Sequence, residues 1–310
     1  MFFMDLGSPA HRSVNQIRSS REAVIPRGLD HIVHAVHDLD AAAALYAGLG
    51  FQVGARNLHP RAWGTQNRLV QLPGTFVELL SLADPTGIAP HADHYFSFGA
   101  FNRDFLARRE GLSMLVLEGQ GAADAQAFRA AGIGDFELCE FEREGKRPDG
   151  ETIKVAFALA YARDLAAPET GFFTCQHRNP ENLWNPAFQV HANTAAKVAG
   201  VVLVADNPTD HHIFLSAFSA VRDLQATSTG ITIETPRGEI QVMAPAAFRL
   251  HYAVEPPDVT RGMRLAALRF AVRDMAAARS ALGASAAERM DKLIVGPQPA
   301  YGATLVFETA

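Results

Sequence analysis

The sequence predicts an α+β fold of four βαβββ modules paired two by two. A short apolar strand, then Ala-Val-x-Asp, then an Ala-rich helix occurs twice. It appears in Gly28-Leu-Asp-His-Ile-Val-His-Ala-Val-His-Asp-Leu-Asp40 and, more faintly, in Leu265-Ala-Ala-Leu-Arg-Phe-Ala-Val-Arg-Asp-Met-Ala276. Two further strand-helix starts lie near residues 112 and 199, and each start is followed by hairpin-like strands. A single module has a short open sheet that cannot bury both its apolar face and its strand edges, and pairing solves that problem.

Module one begins with a strand at 29–36. Asp38 is placed to cap the following helix, whose Leu39, Ala42, Ala43, Tyr46 and Leu49 recur at helical spacing. Gly48 and Gly50 end it, and strands are expected at Phe51–Asn57, Asn67–Leu72 and Phe76–Leu82, with Pro73-Gly74 as a turn. Module two repeats the order. It has a strand at Leu112–Leu117, a helix at Ala122–Ala131 closed by Gly132, and strands at Phe136–Arg143, Thr152–Tyr161 and Gly171–His177, with a turn at 146–150. Module three has a strand at Lys197–Ala205, a helix opened by Asn207-Pro208 and a hairpin around Pro236-Arg237-Gly238. Module four holds Leu265–Val272, a helix after Asp274, and strands near Leu293–Val295 and Ala303–Glu308. Connectors at Glu181–Asn193 and Glu255–Asp258 divide the chain accordingly. The expected units are a flexible arm at 1–27, a first module pair at 28–180 and a second at 195–310.

In 310 residues, 48% hydrophobic and 20% charged is the composition of a soluble globular protein. A net charge of −5 argues against a nucleic-acid surface, and no apolar run reaches the length of a membrane span. Two cysteines are no disulfide framework and fit a reducing, cytoplasmic setting. The arm carries Arg12, Arg18, Arg21 and Arg27, with too short an apolar start for a secretory signal; a transit peptide is the alternative to a plain flexible arm. No Walker, dinucleotide-binding or Gly-x-Ser-x-Gly pattern occurs.

The stretches Leu29–Leu39, Leu49-Gly-Phe51, Trp63-Gly-Thr-Gln-Asn-Arg68 and Phe76-Val-Glu-Leu-Leu80 together resemble the vicinal oxygen chelate superfamily, and within it the glyoxalase-like proteins. The resemblance is close over 28–85 and one of pattern beyond. It implies sheets paired into curved, barrel-like domains with a divalent metal at the base of a cleft. Members include glyoxalases, extradiol dioxygenases, epimerases and thiol transferases, besides metal-free binding proteins, so the fold leaves function open.

The same resemblance puts His31 and Glu78 on adjacent strands pointing into the cleft. A carboxylate among Phe76, Val77, Leu79 and Leu80 is costly to bury without a partner, and a metal ion would compensate it. In module two, Met114 stands where His31 does in module one, and Cys175 is aligned with Glu78. His177, two residues on and on the same face, is the expected third ligand. Two imidazoles and a carboxylate suit Fe, Zn, Mn, Co or Ni. Cys175 is read as a small buried hydrophobe, His34 and His37 as structural or solvated, and the His211-His212 pair as surface. His91 and His94 fall in an expected loop from Asp84 to Asn102.

Asn67 and Arg68 are adjacent, so one of them faces the cleft as a substrate-binding residue. Gln176, Trp184, His191 and Asn193 are further candidate lining residues. Glu78 is also the candidate catalytic base. The leading expectation is a metal-dependent enzyme, a lyase or isomerase of glyoxalase type, on a small carbonyl, enol or catechol-like substrate, with an extradiol dioxygenase second. A metal-free binding or sequestration protein is the competing class. The second module pair carries Ala199, Ala267, Val242 and Val306 at the marked places, so it is expected to be structural or a partner surface. The expected partner is a small-molecule substrate, not nucleic acid or membrane, with a homodimer left open.

Overall fold

The computed structural model describes residues 25–146, 150 and 152–310. Module one opens with β1 (Leu29–Ala35), every residue of which is buried. The Asp38 carboxylate then accepts the backbone N–H groups of Asp40 and Ala41 at 3.0 and 2.9 Å, starting α1 (Leu39–Gly48). The strands β2 (Asn57–Leu58), β3 (Thr65–Leu72) and β4 (Thr75–Leu82) follow. The expected strand at Phe51–Asn57 is almost absent. Phe51 N–H bonds back to Tyr46 O, closing the helix, and Gly54 N–H bonds to Leu69 O, which leaves little free for a ladder.

The expected loop from Asp84 to Asn102 instead leads into α2 (Phe98–Leu106). Ser97 Oγ accepts the Ala100 N–H and starts it. Gly99 is required here, because a Cβ at that position would lie 2.1 Å from Trp63 O. Module two comprises β5 (Gly111–Glu118), α3 (Ala122–Ala130), β6 (Cys139–Lys146), β7 (Thr152–Ala162) and β8 (Gly171–His177). The turn expected at 146–150 lies largely outside the described residues. The short α4 (Pro180–Leu183) leads out of the module.

Module three contains β9 (Ala195–Val204), α5 (His212–Ser219), β10 (Gln225–Thr227), β11 (Gly230–Glu234) and β12 (Glu239–Met243), and α6 (Pro245–Tyr252) follows it. Module four contains β13 (Arg264–Val272), α7 (Met275–Leu282), β14 (Ala287–Arg289), β15 (Lys292–Val295) and β16 (Thr304–Thr309). Asp274 caps α7 as Asp38 caps α1, accepting from Ala276 and Ala277 at 2.8 and 3.0 Å. The repeated Ala-Val-x-Asp motif is therefore a strand end plus a helix cap.

The strands form two curved eight-stranded sheets, ordered β2-β3-β4-β1-β5-β8-β7-β6 and β10-β11-β12-β9-β13-β16-β15-β14. Adding eight to each strand number converts the first order into the second. In each sheet an antiparallel pair, β1–β5 or β9–β13, joins two modules. α2 and α6 occupy matching places in the chain, each linking the last strand of one module to the first of the next. One apolar core, with Leu29, Ile32, Tyr46, Phe172, Phe218, Leu268 and Phe307, spans both sheets. The other face of each sheet has its own cluster. That of the first is aromatic, and that of the second is filled by Phe248 and Tyr252 from α6.

Residues 1–24 of the expected arm lie outside the described residues. Arg27 is already part of the fold: it is buried, its Nε donates to Asp124 at 2.8 Å and its Nη1 to Phe218 O at 2.9 Å.

Candidate active site

On the aromatic face of the first sheet, His31 of β1 stands beside Glu78 of β4. β1 and β4 run parallel with Val33 opposite Glu78 and His31 opposite Phe76, so His31 and Glu78 share a face two residues apart. His31 stacks on Phe76 at 4.3 Å between ring centroids and meets Phe173 edge-on at 5.5 Å. Its Nδ1 lies 2.5 Å from Asp30 Oδ1, and its Nε2 lies 3.7 Å from Glu78 Oε2.

Asp30 precedes His31 in the strand and by simple alternation would point the other way. A bulge overrides this. The β1–β5 register slips between Leu29 and His31, so Asp30 has no opposite number and turns to the same side. Burial raises the Asp30 pKa, but contacts with His177 and then His31 outweigh it and hold the carboxyl down at about 2. An ionised Asp30 makes His31 Nδ1 the donor, and the other ring nitrogen, Nε2, faces the Glu78 carboxylate.

The other side of Glu78 is occupied by a residue outside the expected set, His59. Its Nε2 is 3.4 Å from Glu78 Oε1, and its Nδ1 lies 2.8 Å from Thr65 Oγ1. Burial lowers the His59 pKa, partly offset by the charge of Glu78. Asn67 Nδ2 donates to Glu78 Oε1 at 2.6 Å, and the Asn67 amide touches His59 Nε2 at 3.0 Å.

Glu78 thus sits between two imidazoles, one oxygen toward each. Two donors bound at ~2.1 Å to one ion lie roughly 3.0–3.4 Å apart. Each imidazole is near that distance from one Glu78 oxygen, but the three donor atoms do not all lie within 4.8 Å of one another, so the side chains would have to draw together around an ion. The Asp30 contact on the far nitrogen of His31 is the usual outer support of a metal-binding imidazole. By donor type these residues fit a divalent metal.

The other expected residues divide between two places. His177 turns away from Glu78 and gives its Nε2 to Asp30 Oδ2 at 2.7 Å, while its buried Nδ1 has no partner; it does not join His31 and Glu78. With Asp30 and Cys175 it forms the one group among the described residues whose potential donor atoms all lie within 4.8 Å of one another. A metal in that group would have to displace the imidazole contacts on both Asp30 oxygens and deprotonate the Cys175 thiol, which burial, then the charges of Asp30 and Glu78, push well up. Trp184, stacked on His177, and Gln176 line a separate depression beside this group.

Arg68 faces outward to Asp40 and Gly54 O, so Asn67 is the neighbour that looks into the cleft. His191 is a fold residue: it accepts from Gln52 N–H, and its Nε2 bonds Gln71 O. Asn193 likewise ties Leu49 O to Ala195 N–H. His211, expected at the surface, is buried against Asp164 at 2.7 Å. Ladder register moves one further assignment. Met114 pairs with Gly171 as His31 pairs with Phe76, so Phe173, not Cys175, takes the place of Glu78 in module two.

His31, His59, Asn67 and Glu78 form the base of a narrow cavity of about 50 Å³ walled by Trp63, Phe98, Phe141, Phe157 and Phe173. Its lining, mainly apolar with a few convergent polar groups, is that of a small-molecule site, and a substrate would have to part the aromatic walls. The glyoxalase-like domain family matches residues 29–218, more than half of the chain. The chain belongs to this glyoxalase-like family. Among curated proteins no match was found. A hypothetical protein from Staphylococcus aureus is similar over 92% of this chain and 100% of its own, at 13% identity and a TM-score of 0.66. A mutant 4-hydroxymandelate synthase from Streptomyces coelicolor is similar over 91% and 92%, at 10% identity and a TM-score of 0.53. A xylose isomerase-like TIM barrel/4-hydroxyphenylpyruvate dioxygenase fusion protein is similar over 93% of this chain and 50% of its own, at 11% identity and a TM-score of 0.50. At these identities the likeness is one of fold, and in this glyoxalase-like chain the site rests on its own residues.

Proposed function

We propose that this glyoxalase-like protein is a metal-dependent enzyme acting on a small oxygen-rich substrate in the aromatic cavity, with His31, His59 and Glu78 holding a divalent ion. The observation that carries this is the position of Glu78 between the two imidazoles, with His31 braced from behind by Asp30. When bound, the ion supplies Lewis-acid stabilisation to neighbouring substrate oxygens. The protein residues do the rest. Asn67 fixes the Glu78 carboxylate, and the aromatic walls hold a flat substrate and exclude water. Glu78 is the one carboxylate among the residues lining the cavity, so proton transfer falls to it as well. Lyase or isomerase chemistry of the glyoxalase type follows most directly. Oxygen-dependent cleavage is the enzymatic alternative, supported by the two-histidine, one-carboxylate donor set and by neighbours named as a dioxygenase fusion and a hydroxymandelate synthase.

One observation favours a different class. Met114 and Phe173 fill the ligand places of module two, as suits a metal-free binding protein on the same fold. Elemental analysis of the purified protein separates the two. The enzyme reading expects about one divalent ion per chain, with metal and activity lost together in Glu78→Gln, which keeps shape but removes charge. Metal-free protein whose ligand binding is unchanged by Glu78→Gln would support the binder.

A further inference from the structure

Glu140, Glu142 and Glu144 of β6 are exposed, while the alternate residues Cys139, Phe141 and Arg143 are half-buried on the face turned to the cavity. Phe141 stacks on Phe157 at 5.1 Å and meets Trp63 at 4.6 Å, so this strand builds the cavity wall. Arg143 stands two residues further along the same wall and is the one cation among the lining residues. Its surroundings are unusual for an arginine in this protein. Arg27, Arg237 and Arg269 each have a carboxylate partner, but among the described residues no hydrogen bond or ion pair engages the Arg143 guanidinium. Burial lowers its pKa, with the charge of Glu78 acting the other way.

We infer that Arg143 is a specificity residue that receives a carboxylate on the substrate, so that the substrate class is a flat, aromatic or similarly apolar acid. This rests on His31, His59 and Glu78 being the reacting end. A half-buried, uncommitted guanidinium among aromatic rings leaves its donor fork open to a ligand, and a carboxylate matches that fork with two parallel hydrogen bonds. One guanidinium offsets one negative charge. A phosphate, carrying nearly two, would need further donors that this wall of Phe and Leu residues does not offer. The anionic end is drawn to Arg143 and repelled by Glu78.

The test compares 3-phenylpropionate with its neutral isostere 3-phenylpropionamide by calorimetry, on manganese-loaded protein and again after EDTA treatment. The acid should bind at least ten times more tightly than the amide in both states. Arg143→Met should bring the two within about twofold of one another while leaving the amide unchanged. Arg143→Lys, which keeps charge without the fork, should fall between and guards against a folding defect in the first variant. Equal binding of acid and amide, no measurable binding of the acid, or a preference that survives Arg143→Met would each overturn the proposal; equal binding would leave Arg143 merely offsetting Glu78. A preference that disappears with EDTA assigns the carboxylate to the metal and overturns the role of Arg143 while sparing the metal centre. Failure to take up manganese, with the Arg143-dependent preference intact, removes the metal centre and leaves the carboxylate site standing.

Discussion

His34 faces away from the cavity, fully buried between Tyr46 OH and Tyr301 O at 3.0 and 3.1 Å. Burial lowers its pKa from 6.5 to about 4. Below pH 6.5 the unfolded chain takes up a proton that the folded one refuses, so stability is full above that value and falls as pH drops toward 4. One such group changes the slope by about 1.4 kcal/mol per pH unit, or about 2 kcal/mol between pH 6.5 and 5. Urea unfolding at these two pH values, for the wild type and His34→Gln, should give a shallower loss in the variant. Equal slopes would remove His34 as the cause. Asp30, held at about 2, acts only below pH 3.8, while His59 and His191, also lowered by burial, add to the loss equally in both proteins, so the difference between them reports His34. At the same scale, sequence reading reached His31, Glu78 and Asn67 but not Asp30 or His59. Asp30 was hidden because alternation holds only where the ladder has no bulge. His59 lies in a segment without periodicity. Only the hairpin register, with His59 N–H on Thr65 O, turns it to the face of Thr65 and Asn67.

Elements that close on themselves locally were the legible ones. Gly171–His177 is β8 to the residue, and the acidic caps of α1 and α7 are where the motif puts them. β2 is shorter than its apolar content suggests, because the Phe51 and Gly54 N–H groups bond to Tyr46 O and Leu69 O instead of a ladder. α2 was missed although Phe98, Phe101, Phe105 and Leu106 recur at helical spacing, because Gly99 reads as a breaker until its approach to Trp63 is known. Asp38→Ala and Asp274→Ala should each cost about 1 kcal/mol by loss of the cap. Lying in separate sheets with no shared partner, they should add in the double variant, as read by urea unfolding. A sum well short of additivity would mean that the two helices unfold as separate units.

Across the whole molecule, duplication gave two sheets of identical strand order, and only one kept an open face. In the second sheet α6 packs Phe248 and Tyr252 against Val202, Ala267 and Val306. Nearby, Arg269 is held by Glu308 at 3.0 Å and Glu239 at 2.7 Å, with Lys292 also on Glu308. This network is committed to itself. Arg269→Met should therefore lower stability by about 1–2 kcal/mol, since it leaves Glu308 to Lys292 alone and Glu239 to solvent, while metal affinity at the first sheet stays unchanged. Thermal unfolding alongside a manganese titration checks both halves of that expectation. A fall in metal affinity at unchanged stability would assign the second sheet a direct part in the site.

The central claim is that His31, His59 and Glu78, and not His177, hold the ion. A cobalt(II) titration followed by absorbance and calorimetry, on the wild type, His59→Ala and His177→Ala, tests it most directly. The wild type should take up about one ion. His59→Ala should weaken it by well over a hundredfold, and His177→Ala, which only releases Asp30, by about tenfold or less. Retention of cobalt by His59→Ala with its loss from His177→Ala would contradict the account and move the metal to Asp30, Cys175 and His177.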